Sequence, residues 1–148
     1  MAASESAVFP FLPTDFEVKR EEAWNESKPV VNSLPKPRRG VVTAFLPTYA
    51  CYILIQAVIN NYPQMATSST AHQLKTISKY RPGGLVFLPG KADIGNTFTI
   101  VIPLYVSGMV KVGGQVVDTD HIYHILSECF VEIPDDGKLA ALVMDEIV

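Results

Sequence analysis

Apolar residues in this chain fall in short runs, and the most informative lies between Phe98 and Asp118, FTIVIPLYVSGMVKVGGQVVD. β-Branched residues dominate it, and Lys111 is its one charge before Asp118. Gly113-Gly114 separates two apolar pieces. A two-residue Gly-Gly loop suits a type I′ turn, which needs φ > 0 at both central positions. That turn sets the register, with Val112 facing Gln115 and Val110 facing Val117. Val110, Val112 and Val117 then share one face, while Lys111 and Asp118 take the other. The stretch is predicted to be a hairpin of an antiparallel sheet with one face buried. Upstream, Pro103 predicts a sheet edge or a bulge, and Ser107-Gly108 a second bend.

Val41–Ile59, VVTAFLPTYACYILIQAVI, carries no charge and follows the basic KPRRG. Its length and flank are those of a membrane span. Pro47 interrupts it, however, and Thr43, Thr48 and Gln56 dilute it. A strand Val41–Leu46, a break at Pro47 and a buried helix Tyr49–Ile59 capped by Thr48 account for the same letters. Pro63–Ser69 is predicted as loop. Thr70-Ala71-His72-Gln73 has capping-box spacing and opens a helix whose last turn holds Lys79 and Arg81. Arg81-Pro82-Gly83-Gly84 is expected to end that helix. Leu85–Leu88 reads as a short strand, Pro89-Gly90 as a turn and Lys91–Thr97 as loop.

Thr119-Asp120 is expected to open a further helix over 119–129, with Ile122, Ile125, Leu126 and Cys129 repeating at i, i+3, i+4 and i+7. Phe130–Ile133, the turn Pro134-Asp135-Asp136-Gly137 and Lys138–Val148 suggest a closing hairpin, with a helix over 138–148 as the alternative. Prolines 10, 13, 29, 35 and 37 mark residues 1–40 as an extended arm. Within it, Thr14-Asp15-Phe16-Glu17 has capping-box spacing, so Asp15–Glu26 is a short helix anchored by Phe16, Ala23 and Trp24. Lys36–Gly40 reads as a stiff basic linker. The expected class is therefore α+β: an antiparallel sheet with two to three helices on one face, behind a Pro-rich N-terminal arm. Residues 41–148 form the single domain. An all-β sandwich, with Tyr49–Ile59 as strand, is the alternative.

Composition changes this picture in one respect. Charged residues make up only 18% of the chain, thin cover for a small monomer. A domain short of charge tends to hide apolar surface against copies of itself, a partner or a membrane. The net charge of −3 also conceals a polarity. No acid occurs between Glu26 and Asp93, where eight basic residues lie. From Asp118 onward eight acids face the single Lys138. A basic region over 28–91 suits an anionic partner or the acidic face of another copy, and assembly built on it would shrink as salt rises. The alternative is that the two halves neutralise each other inside one fold. Cys51 and Cys129 fit neither a disulfide framework nor a zinc cluster and read as reduced core residues. MAASESAVFPFLP lacks the basic segment and long apolar core of a secretion signal, so an intracellular, cytoplasmic place is expected, or a virion if the protein is viral.

Chemistry is sparse. On the expected 119–129 helix, His121, His124 and Glu128 would form one stripe able to hold a transition metal, with Asp118 or Asp120 completing the set. Solvated polar positions, with His124 and Glu128 as an i, i+4 pair, explain the stripe equally simply. Cys129 would sit at a helix C-terminus, the wrong electrostatics for a nucleophile. PGKADIGNT lacks the order of a phosphate-cradling loop. Lys36, Arg38, Arg39, Lys75, Lys79, Arg81 and Lys91 could neutralise the phosphates of a nucleic acid backbone or an anionic membrane surface, without any motif that reads bases. No catalytic residue or cofactor is assigned. The leading expectation is a non-enzymatic structural protein that assembles with itself, of the viral coat or matrix type. The alternatives are a membrane-associated protein anchored by 41–59 and a small metal-binding protein or metal-dependent enzyme built on 119–129.

Overall fold

A computed structural model describes residues 8–11, 16–34, 42–65, 80–94, 99–125 and 128–146. In chain order these form β1 (Val8–Phe11), α1 (Glu17–Asn32), β2 (Val42–Phe45), α2 (Tyr49–Met65), β3 (Tyr80–Phe87), β4 (Gly90–Ile94) and β5 (Thr99–Ser107), followed by β6 (Lys111–Val112), β7 (Gln115–Val116), β8 (Ile122–Ile125), β9 (Cys129–Ile133) and β10 (Lys138–Glu146). Two antiparallel sheets result, one ordered β1-β8-β5-β10-β3-β2 and one ordered β4-β9-β6-β7. The class is α+β, with two helices among the described residues.

Three layers follow from how the strands alternate. On β10, Ala140, Leu142 and Met144 point towards α1 and α2, joined there by Val86, Ile100, Ile102, Leu104 and Ile122. Leu139, Ala141 and Val143 point the other way, with Val101, Tyr123 and Ile125, onto the smaller sheet. The hairpin of that sheet has the expected register: Val112 pairs Gln115, and the Val117 amide donates to the Val110 carbonyl. Gly113 and Gly114 sit at φ 58° and 82°, and Val110, Val112 and Val117 are buried.

Of the three prolines within strands, Pro10 lies on the edge strand β1, and Pro82 and Pro103 lie where a flanking strand has already ended. β8 pairs only Thr99–Val101 of β5, leaving Pro103 beyond it, and a register shift between Ala140 and Ala141 marks the expected bulge. β2 pairs only Gly84–Phe87 of β3, leaving Pro82 beyond it. The stretch Arg81–Gly84 is thus strand and does not end a helix. Its Gly84 is the register partner of Phe45, whose ring covers the space a side chain would fill. The predicted Thr70 helix otherwise lies outside the described residues, as does the KPRRG linker.

The first forty residues are not an extended arm where they are described. β1 pairs with β8 at the sheet edge, and α1 is longer than expected because it runs through Pro29 and ends one turn later. Phe16, Arg20, Ala23, Ser27 and Val31 form its buried stripe. Small Ala23 and Ser27 admit α2 closely: Ser27 Oγ lies 3.1 Å from Cys51 Sγ. Trp24 stacks on Tyr105 of β5, centroids 4.9 Å apart. The Glu26 carboxylate accepts the Ala50 N–H at 3.0 Å and so caps α2, the task expected of Thr48. Thr48 instead bonds Cys51 Sγ. α2 confirms the expected break at Pro47 but runs to Met65, past the predicted loop start at Pro63.

Three further expectations need correction. Lys91 to Ile94 is strand β4 and not loop. Ile122–Ile125 is strand β8, buried on both sides, so the 119–129 helix does not exist. β9 and β10 flank the expected Pro134–Gly137 turn but belong to different sheets, so they are a crossover and not a hairpin.

Removing residues 1–34 should uncover Ala50, Cys51, Leu54 and Ile55 and abolish cooperative urea unfolding; a cooperative transition in 35–148 would restore the boundary at residue 40. Gly84→Ala should cost about 1–3 kcal/mol in urea unfolding through overpacking against the Phe45 ring. In a Phe45→Ala background the same change should cost clearly less.

Candidate functional site

The β8 strand takes apart the expected metal stripe. His124 is buried on the side of Ile122, facing the helices, whereas His121 lies outside the strand and Glu128 is exposed beyond it. No group of metal-ligating residues occurs among the described residues. His121 serves the turn into β8 instead. Its Nδ1 lies 2.8 Å from Asp118 Oδ1, which also accepts the Asp120 N–H at 2.9 Å. The Tyr123 hydroxyl accepts the Asp118 N–H, tying the turn to the strand. Burial works to raise the Asp118 pKa, but the bonds from His121 and the Asp120 backbone outweigh it and leave the carboxyl below its usual range. Cys129 is a buried strand residue whose thiol is pushed up by burial, again unsuited to nucleophilic work.

The basic set is only partly visible. Lys36, Arg38, Arg39, Lys75 and Lys79 lie outside the described residues. Arg81 is the register partner of Asp145, and Lys91 that of Glu132. Lys91 Nζ sits 4.3 Å from the centre of the Phe130 ring, beside a shallow depression of about 190 Å³ that Glu132 also lines. At both described positions an acid of the C-terminal half therefore stands across the ladder from the basic residue.

The feature that stands out lies elsewhere, at the corner where β2 leads into α2. Leu46 is 84% exposed, Tyr49 77%, Tyr52 49% and Ile53 38%. Tyr49, Tyr52 and Ile53 stand at i, i+3 and i+4 and share one helix face. Exposed Gln56, bonded to Asn60 at 2.9 Å, continues that face as uncharged polar surface. α2 contains no charged residue, whereas α1 beside it exposes Glu17, Glu21, Glu22, Glu26 and Lys28. β2 is an edge strand, also without charge. At its far end a groove of about 190 Å³ is lined by Val31, Leu34, Thr43, Val86 and Leu88, among others. Periodicity could not reveal the corner, because its apolar letters read like those of the core.

No helix among the described residues is long and apolar enough to cross a membrane. No protein-family model matches the chain, and neither a curated protein nor a solved structure matches it.

His124 supplies a pH prediction. Its burial pulls the pKa from the ordinary 6.5 down to about 3. The unfolded chain takes up a proton near pH 6.5 that the folded chain refuses until about pH 3. Stability is therefore complete above that window and falls through it on acidification, by up to about 1.4 kcal/mol per pH unit. Urea midpoints followed across the window should show His124→Leu with a slope smaller by one proton than wild type; equal slopes would refute this account.

Proposed function

We propose that the protein is a structural protein that assembles with itself, in the manner of a coat or matrix protein, through the corner formed by β2 and the exposed face of α2. The observation that carries this reading is the contrast between the two helices. Both cover the same sheet, yet α1 turns charge to solvent and α2 turns out Tyr49, Tyr52 and Ile53. A full aromatic side chain covers roughly 150–250 Å², so the two tyrosines alone leave on the order of 250 Å² exposed. Patches of that size, joined to Leu46 and Ile53, are the kind that mark association sites.

A second copy suits this surface better than a foreign one. An uncharged face meets itself across a two-fold axis without like-charge repulsion, and each residue finds its own complement. A charged partner would find nothing there to pair with. β2, which ends the sheet among the described residues and carries neither charge nor proline, borders the same corner and can extend the contact. Standard interfaces bury about 800 Å² per partner, so the α2 face alone should give a weak dimer and the β2 edge should strengthen it.

An interface of this kind makes a distinct prediction about salt. Light scattering at high protein concentration should show oligomers that persist as salt rises, because apolar contacts are not screened. Tyr49→Glu with Tyr52→Glu should give monomer at unchanged urea stability, within about 0.5 kcal/mol as expected of exposed positions. Oligomers that dissociate in salt and ignore the tyrosine changes would return the weight to the charged halves. A wild-type monomer at every salt concentration would end the proposal.

A further inference from the structure

Arg20 stands in the first turn of α1 and is only 7% exposed. Two of its nitrogens, Nε and Nη2, are sealed from solvent and have no hydrogen-bond partner. These are not two arbitrary atoms. Nε–H and the adjacent Nη2–H lie side by side on one edge of the guanidinium, the edge whose two parallel donors match the two oxygens of a carboxylate or phosphate. Asp118, Asp120 and Glu17 are near enough for their charges to act on Arg20, yet no ion pair to it occurs among the described residues.

The end of the helix points to the same kind of occupant. Phe16 precedes the first turn and makes no side-chain cap to the leading amides of α1, whose N–H groups have no carbonyl of their own helix to meet. Side chains lean towards the N-terminus of their helix, so Arg20 leans towards the start of α1. The positive end of the helix dipole adds to the attraction for an anion. Burial lowers the Arg20 pKa while Asp120, Asp118 and Glu17 raise it, and burial wins. A guanidinium nonetheless keeps its proton, so the edge remains a pair of charged donors.

We propose that the Nε/Nη2 edge of Arg20, near the start of α1, is a binding site for a single carboxylate group. The neighbouring acids decide between carboxylate and phosphate. Glu17, Asp118 and Asp120 already make the surroundings negative, and a dianion would meet about twice the repulsion of a carboxylate. A planar carboxylate also fills the two-donor edge without a third oxygen to accommodate. Because both nitrogens are closed off, entry requires the start of α1 to open, and stabilisation of the closed state reports occupancy.

The test uses the full chain and urea unfolding at neutral pH, in sodium acetate, sodium phosphate and sodium chloride of equal ionic strength. Acetate at ten times its dissociation constant should multiply the folding constant about elevenfold over chloride. Arg20→Gln and Arg20→Lys should both lose that increment, the lysine because it keeps the charge without the fork. In wild type the Arg20 Nε–H resonance should shift with acetate and stay fixed with chloride, a readout that holds even if a variant fails to fold. An acetate effect that survives Arg20→Lys, phosphate outperforming acetate, or an Nε–H resonance indifferent to acetate would each overturn the assignment.

Discussion

β10 has no wet side, and the other elements answer that constraint. Leu139 to Met144 are all buried, alternate residues facing opposite ways, between β3 on one flank and β5 on the other. Each large side chain there gains roughly 1.5–3 kcal/mol from burial, but only while both faces are covered. α1 and α2 cover one face and the smaller sheet covers the other. That is why the N-terminal residues cannot be an appendage. Val31, Ala23 and Phe16 of α1 belong to the same cluster as Leu142 and Met144.

The same constraint explains which elements were legible in the letters. A strand with one wet face alternates, and a glycine pair that must adopt φ > 0 announces its turn, so the Val110–Val117 hairpin was readable in detail. A strand buried on both faces does not alternate. Leu139–Met144 is a continuous apolar run that fits helix or strand equally, and Ile122-Tyr123-His124-Ile125 is worse. With all four residues buried, Ile122 and Ile125 fall three apart by accident and imitate a helix face, and His124 imitates its polar side. The imagined metal stripe was a by-product of that imitation. α2 shared the ambiguity: Pro47 broke the run, but only Thr48 at the cap position favoured helix over strand for Tyr49–Ile59.

The order of charge along the chain does not carry over directly into the fold. Basic residues cluster before Asp93 and acidic ones after Asp118, but antiparallel pairing folds those halves together. β3 lies against β10 and β4 against β9, so Arg81 meets Asp145 and Lys91 meets Glu132 across the ladders. Blocks in a sequence are not blocks on a surface once strands from both halves share a sheet. The shortage of charge was the sounder signal, because composition survives folding where order does not. It is concentrated in α2, which carries no charge and turns Tyr49, Tyr52 and Ile53 outward besides its apolar inner face. A helix of that kind is expected to be covered, and the letters alone do not say whether the cover is its own domain or another copy.

The structure separates those two kinds of cover. Ala50, Cys51, Leu54, Ile55 and Val58 already close the inner face of α2 against α1 and the sheet, and Glu26 already caps its first turn. Nothing in the core therefore depends on what meets Leu46, Tyr49 and Tyr52 outside. If the chain assembles as proposed, it would fold first and associate afterwards, so that concentration and not folding would govern its assembly. Obligate dimers behave otherwise, because their shared surface is part of the core itself. The start of α1 differs again, for there a buried guanidinium edge lies within the fold, and its occupancy would bear on stability directly. The two proposed sites would thus act at different stages, one on the folded chain and one on folding itself.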